Sequence, residues 1–328
     1  MKIAILGCGG SFGLSLARVA LSREIEVIGI GRSPMKPACF SLQFAHPVRN
    51  FKYFPYHINY ELDYVMRLLE MECPELIVSF AAQGEGAASF DPNDYWRFYD
   101  TNTTACVKLV GSLERKPWLK RFIQIGTSEM YGSADRPMKE TDPINPTSPY
   151  AASKVAFDLH LLSVFKNRDF PMNIIRPTNC YTVGQQLHRI IPRTMLYGMT
   201  KKKLELHGGG KAEKSYLYAD DLANAILTVH EKAPLGEIYN CGPDKPTSIR
   251  KVVEMCCRIM GVGFDEFVEV VGEREGQDSR YWLDSSKLKS LGWKQEVDWD
   301  MGLWRMRQWI EAYKPELLEQ NPNFRMRA

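Results

Sequence analysis

The chain has 328 residues, 45% of them hydrophobic, with 42 lysines and arginines against 39 aspartates and glutamates. That length can bury a large core, usually divided between two domains, and the near balance of charge without a long run of one sign points away from nucleic acid and from a membrane surface. The apolar start is too short for a membrane span and runs into glycines where a signal peptide would continue, and the eight cysteines form no CxxC pair and have no histidine at metal spacing, so a soluble cytoplasmic protein with reduced thiols and no metal is expected.

In chain order, KIAIL reads as a short buried strand, followed at once by GCGGSFG and a helix with apolar spacing. Gly7, Gly10 and Gly13 form a GxxGxxG turn, in which glycine lets the backbone approach a pyrophosphate while the helix N-terminus offers amide groups and the positive end of its dipole. Strand, turn and helix in that order point to a dinucleotide site at Gly7, Gly10, Ser11, Phe12 and Gly13, with a tight turn lacking any ligand as the alternative. The second strand, EVIGIGR, ends at the place for an adenosine ribose. A carboxylate there would bind the 2′-hydroxyl of NAD, but the chain has Gly31 and then Arg32. An arginine pairs with a 2′-phosphate, so the sequence leans to NADP, with NAD as the alternative; Lys36 is close enough in sequence to assist, and a solvated loop charge is the other reading of Arg32.

An irregular stretch, Ser33 to Phe54, and a helix near Leu62 to Met71 follow. The strand ELIVSFAAQ ends in Ala81 and Ala82, small enough to let a flat ring pass, and the segment from Asp94 to Leu113 reads as one long helix carrying Asn102. Phe122 to Ile125 is a buried strand ending in Thr127, Ser128 and Glu129, and strand ends are where parallel α/β sheets place their chemistry. A helix then begins at SPYAASK: Thr147 or Ser148 can cap it, and Pro149 suits its first position. Tyr150 and Lys154, four apart, share a face, and an ammonium beside a phenol of ordinary pKa about 10 favours the phenolate, which makes Tyr150 a candidate general base. Taken alone, the Tyr-x-x-x-Lys pair also fits a solvated helix face, and TSE also fits an ordinary loop.

PMNIIRPTNCY is a further buried strand with polar residues at its end. Strand and helix alternating about six times predict an α/β fold with a doubly wound parallel sheet over residues 1–180. Beyond Tyr181 the elements shorten, which predicts a smaller α/β lobe over 181–328 covering the carboxyl edge of the sheet, with 216–231 returning to the first domain, the strand IYNCG in the lobe, and a polar tail from Pro315.

The motifs GxxGxxG, FAAQ, TSEMYG, SPYAASK, RPTNCY, KSYLYADD, IYNCG and RYWLDSSKLKSLGW occur in an order that resembles the nucleotide-sugar epimerase/dehydratase branch of the extended short-chain dehydrogenase/reductases. Within that branch Thr-Ser-Glu followed by Tyr-Gly is similar to the GDP-mannose 4,6-dehydratases, as is AAQ followed by Ser89 and Phe90, whereas dTDP-glucose dehydratases have an aspartate where this chain has Ser128. The resemblance implies a Rossmann-type domain binding NADP or NAD, with Ala81, Ala82, Tyr150, Lys154 and Pro177 also at the cofactor. It implies that Tyr150 takes the 4-hydroxyl proton of a nucleotide-diphosphate sugar, Thr127 holds the oxygen, Lys154 lowers the phenol's pKa, and Glu129 removes the C5 proton and helps water leave C6, with Ser128 beside them. It also implies substrate contacts at Gln83, Ser89, Asn179, Lys214 and Arg280, and a homodimer joined by a four-helix bundle of Tyr95 to Leu113 and Tyr150 to Phe165. Departures from the pattern are His57 where an acid usually holds the adenine, Gly84, Glu85 and Gly86 after AAQ, Thr182 and Val183 for Gly-Pro, and Lys214 for arginine; these leave the sugar and the nucleotide open. The alternatives are a 4-epimerase or 4-dehydrogenase on the same fold, in which Glu129 orients substrate, and a cofactor-binding sensor or scaffold without catalysis.

Overall fold

A computed structural model describes residues 1–84, 87–272 and 279–321. Strands β1 (Lys2–Leu6), β2 (Glu26–Ile30), β3 (Phe51–Phe54), β4 (Leu76–Ser79), β5 (Arg121–Ile125) and β6 (Met172–Pro177) join Ile238–Cys241 in one seven-stranded sheet. The order is β3, β2, β1, β4, β5, β6, then Ile238–Cys241, and every pairing is parallel. The composition of β1 explains its central place. Ile3 and Ile5 face one helical layer and Ala4 and Leu6 the other, and all four are fully buried, so the strand reads as an unbroken apolar run rather than an alternation.

Helix α1 (Ser11–Ser22) and the helix Ala219–Lys232 cover one face; Leu62–Glu72, Cys106–Leu113 and Pro149–Arg168 cover the other. Because β1 lies between β2 and β4, successive connections run in opposite directions from this point, and a crevice opens at the carboxyl ends of the strands. A second core, built from Tyr181, Ile191, Met195, Tyr218, Val252, Leu303 and Trp309, stands over that edge. It is tied to the sheet domain by the Trp309 indole N–H donating to the Cys39 carbonyl at 2.6 Å and by Ser15 and Thr182, whose hydroxyls lie 3.2 Å apart.

Three elements differ from the sequence reading. Ile238–Cys241 belongs to the large sheet as its edge strand rather than to the later lobe. The run is short and contains a polar residue, but Asn240 is fully satisfied there. Its backbone N–H donates to Glu140 at 2.7 Å, its side-chain amide donates to the Met138 carbonyl at 2.8 Å, and its oxygen accepts from the Tyr131 hydroxyl at 3.0 Å. The long helix after Asp94 is α-helical at Tyr95–Tyr99 and Cys106–Leu113 but widens to π geometry over Asp100–Ala105, a departure common at functional sites. The tail expected from Pro315 starts in a short helix, Lys314–Leu318, whose Leu317 is fully buried in the second core, and its residues 322–328 lie outside the described residues.

Candidate active site

The turn after β1 is shaped for a close approach. Gly7 has φ +76°, and a Cβ there would lie 2.8 Å from the Ala81 nitrogen; a Cβ at Gly13 would lie 2.7 Å from the Cys8 Cα. Gly10 leaves the N-terminus of α1 without a side-chain cap, so Ser11, Phe12 and Gly13 present the first turn of the helix to the crevice. Such a terminus suits a phosphate, and the glycine cradle fits a dinucleotide. Beneath it stands Tyr53, which the sequence reading passed over; its hydroxyl donates to the Ser33 carbonyl at 2.7 Å and so fixes the loop that follows Arg32.

Arg32 is exposed at the tip of β2, and its guanidinium donates to the side-chain oxygen of Gln83 at 3.2 Å. Gln83, expected on the substrate, therefore also meets the arginine expected at the cofactor. Its main chain is held by Asn102, which accepts from the Gln83 N–H at 2.7 Å and donates to the Gln83 carbonyl at 3.0 Å. The Asn102 amide also donates to the Ser153 hydroxyl at 2.9 Å, and that hydroxyl donates to the Tyr150 carbonyl at 2.7 Å. Asn102 thus couples the end of β4 to the helix that carries Tyr150. A single polar residue in a helical run gave no signal of this; the π turn is what carries it.

At the end of β5, Thr127 caps a single 3₁₀ turn, Ser128–Tyr131, its hydroxyl oxygen accepting from the Glu129 N–H at 3.2 Å. Opposite, Ser148 is the cap of Pro149–Arg168, accepting from the Ala151 N–H at 3.1 Å, with Pro149 at the first position. The Tyr150 ring meets Phe98 edge on, with centroids 6.4 Å apart. Lys154 is 3% exposed, and its ammonium donates to the Ile125 carbonyl at 2.7 Å, which pins it to the last residue of β5. Burial pulls its pKa below the ordinary lysine value, against the opposing pull of nearby Cys106 and Asp158.

Thr127, Ser128, Glu129, Tyr150 and Lys154 all line a single open cleft of about 1850 Å³. The same cleft is bounded by the glycine turn, Arg32, Lys36, Ala81, Ala82 and Gln83 on one side. Pro177, Asn179 and Lys214 bound the other. Two expected substrate residues are not among its lining. Ser89 is fully buried inside the turn Ala87–Phe90, where its neighbours Ala88 and Phe90 face the cleft instead. Arg280 is turned to the carboxylate of Glu213 and held there by an ion pair. Lys214, by contrast, is buried with its ammonium 3.5 Å from the centre of the Tyr281 ring. Arg189 and Arg193 also line the cleft and were not foreseen, since an arginine in an irregular run resembles any surface charge. His57 lies at the far end; its ring Nδ1 accepts from the Asn59 N–H at 3.2 Å. Gly84 lines the cleft, and Glu85 and Gly86 lie outside the described residues. Among the described residues, no group of three His, Cys, Asp or Glu is placed to hold a metal ion, and no helix is long and apolar enough to cross a membrane.

A glycine-rich turn, a strand-end Thr-Ser-Glu and a Tyr-x-x-x-Lys helix sharing one cleft find their counterpart among known proteins: residues 3–242 match the NAD dependent epimerase/dehydratase family. The chain belongs to that family. Its relatives include the dTDP-D-glucose 4,6-dehydratase of Mus musculus, 31% identical over 283 residues, which are 83% of this chain and 78% of that one. A trifunctional UDP-glucose 4,6-dehydratase/UDP-4-keto-6-deoxy-D-glucose 3,5-epimerase/UDP-4-keto-L-rhamnose-reductase of Arabidopsis thaliana is 31% identical over 79% of this chain, which spans only 39% of that longer protein. Among solved structures, the dTDP-glucose 4,6-dehydratase of Streptomyces venezuelae with NAD bound superposes with a TM-score of 0.88 at 25% identity, over 96% of this chain and 98% of the other. This epimerase/dehydratase family member therefore shares with them the fold on which the cleft is built.

Proposed function

We propose that the protein is a nucleotide-sugar 4,6-dehydratase that converts an NDP-hexose to the NDP-4-keto-6-deoxy sugar. The observation that carries the reading is that Glu129 shares the cleft wall with Tyr150 and Lys154: oxidation at C4 or epimerisation needs a base at the 4-hydroxyl, whereas elimination needs a second base at C5. Tyr150 takes the proton from the 4-hydroxyl, the Thr127 hydroxyl donates to the developing carbonyl oxygen, and Lys154 supplies the positive charge that favours the phenolate. Glu129 removes the C5 proton, made acidic by the 4-ketone, and returns a proton to the departing C6 hydroxyl as water. When bound, a nicotinamide would supply the hydride acceptor for C4 and the hydride donor for C6, with a proton returned to C5 in place of the one Tyr150 took from the 4-hydroxyl, so that neither cofactor nor site residue would be consumed. Gly7, Gly10, Ser11 and Gly13 would hold its pyrophosphate, Ala81, Ala82 and Pro177 would line the place for its ring, and Arg32 with Lys36 would take a 2′-phosphate, which favours NADP. Asn179 and Lys214 take the sugar nucleotide's diphosphate.

Residues 1–180 form the cofactor domain and 181–328 mainly the substrate lobe, with 216–231 and the strand 238–241 returning to the first. Tyr95, Trp96, Tyr99 and Leu159 are exposed on the helices after Asp94 and Ser148, which supports a homodimer through a four-helix bundle. The deciding experiment incubates the purified protein with GDP-, dTDP-, UDP- and CDP-hexoses and reads products by mass spectrometry. Loss of one water without net cofactor turnover is the expected result; an unchanged mass with a C4 epimer visible by NMR assigns the epimerase reading instead.

A further inference from the structure

Behind the reacting residues lies a buried charged chain that the chemistry above leaves unused. Lys154 is followed one helical turn later by Asp158, on the same face and 1% exposed. One carboxylate oxygen of Asp158 lies 3.3 Å from the Nε of Arg176, a 2% exposed residue of β6. The other is buried without a hydrogen-bond partner among the described residues. Arg176 donates to the Tyr131 hydroxyl at 2.8 Å, and that hydroxyl donates to Asn240 at 3.0 Å. Tyr131 closes the turn that carries Ser128 and Glu129. The pair also packs under Gly126: a Cβ there would stand 3.1 Å from the Arg176 Cγ and 3.3 Å from the Asp158 oxygen. Gly126 is the link between Ile125, which accepts from Lys154, and Thr127.

An ion pair this deep is a weak source of stability, because the cost of removing both charges from water offsets their attraction. Its position, against the backbone between the residue that anchors Lys154 and Thr127, is what needs an account. On the reading of the cleft given above, we propose that Asp158 is a positioning residue for the reaction: it supplies the counter-charge of the Lys154 ammonium from behind the strand end and, through Arg176 and Tyr131, fixes the turn that carries Glu129. The charged groups facing it are Lys154 on its own helix and Arg176 on β6; Cys106 from the neighbouring helix faces Lys154, and Tyr131 with Glu140 lies beyond Arg176. Burial pushes the Cys106 thiol up to about 11, so it is neutral near pH 7 and Asp158 is the anion facing Lys154. Burial raises the Asp158 carboxyl above the ordinary carboxylate range, and the positive charges of Arg176 and Lys154 work against that rise.

The test follows Tyr150 by NMR of tyrosine labelled with ¹³C at Cζ, against pH, in the full chain, with Tyr150→Phe identifying the resonance. Removing a negative charge favours proton loss from both Tyr150 and Lys154. Asp158→Asn is therefore expected to move the Tyr150 midpoint, and both limbs of the kcat/KM profile, about one pH unit to the acid side. Asp158→Glu keeps the charge and is expected to restore the wild-type midpoint. If Asp158→Asn fails to fold with Arg176 unpaired, the double variant Asp158→Asn/Arg176→Met removes the pair together and is expected to move the midpoint the same way but by less, because losing the Arg176 charge, which lies farther from Lys154, opposes the shift. An unmoved midpoint in a folded variant, with turnover merely lower, reduces Asp158 to a structural ion pair and overturns the proposal. The NMR arm needs no substrate, so its outcome is separate from that of the sugar-nucleotide panel.

Discussion

Along the sheet side of the cleft, Thr127 and Lys154 are each fixed by a hydrogen bond to main chain at or just after the end of β5 and the main chain of Gln83 is held by the Asn102 side chain, whereas on the lobe side Lys214 rests on the ring of Tyr281 and Arg280 is taken up by Glu213. The first set inherits its geometry from the parallel ladder and from helix starts, which leave little freedom. The second hangs on two-residue and four-residue strands joined by loops, such as Glu213–Lys214 and Leu204–His207. On the proposed function, chemistry falls to the rigid wall and recognition to the adaptable one, and substitutions on the two walls should differ in kind. Sheet-side changes should lower kcat, and lobe-side changes should raise KM.

The sharpest break of that contrast is Tyr150→Phe, expected to cut turnover by about 10³-fold with substrate binding retained; a KM effect alone would move Tyr150 to the recognition wall. Glu129→Gln is expected to slow water loss by about 10²-fold while hydrogen at C4 still exchanges with the cofactor. Wild-type dehydration by this variant, measured with C4-deuterated substrate, would remove Glu129 from the reaction. On the other wall, Lys214→Ala should raise KM by about 30-fold with kcat little changed, while Arg280→Ala, already neutralised by Glu213, should stay within about threefold. Equal effects in steady-state kinetics would show that Arg280 leaves Glu213 to meet the substrate. At the cofactor end of the cleft, Arg32→Asp is expected to shift the ratio of NADP to NAD affinity by about tenfold toward NAD. An unchanged ratio in fluorescence titrations would leave Arg32 only its bond to Gln83.

The legibility of this chain divides along the same line. Gly7, Gly10 and Gly13, the TSE strand end and the Tyr150/Lys154 pair were readable because each lies within a few residues of a strand end or helix start, so spacing in sequence is spacing in space. Ser89 was read as substrate-facing from its place after AAQ, but a one-turn reversal puts its neighbours on the cleft instead. The resemblance sets Arg280 in the substrate pocket, and a carboxylate 67 residues earlier cannot be seen as its partner from spacing. The sequence sets Ile238–Cys241 with the lobe because it is one of the short elements beyond Tyr181, but it pairs as the edge strand of the large sheet, where Glu140, Met138 and Tyr131 bond its buried Asn240.

By itself the sequence determined the alternation of buried strands and amphipathic helices, the glycine turn and the local chemistry at each strand end, since these depend on side-chain periodicity and backbone freedom over a few residues. Only the tertiary structure decided which of those ends share one cleft, which charges are spent on one another, and that Asn102, Asp158, Arg176 and Tyr131 stand behind the reacting groups. Those are contacts between residues far apart in the chain, and they are set by how the layers pack rather than by any local preference.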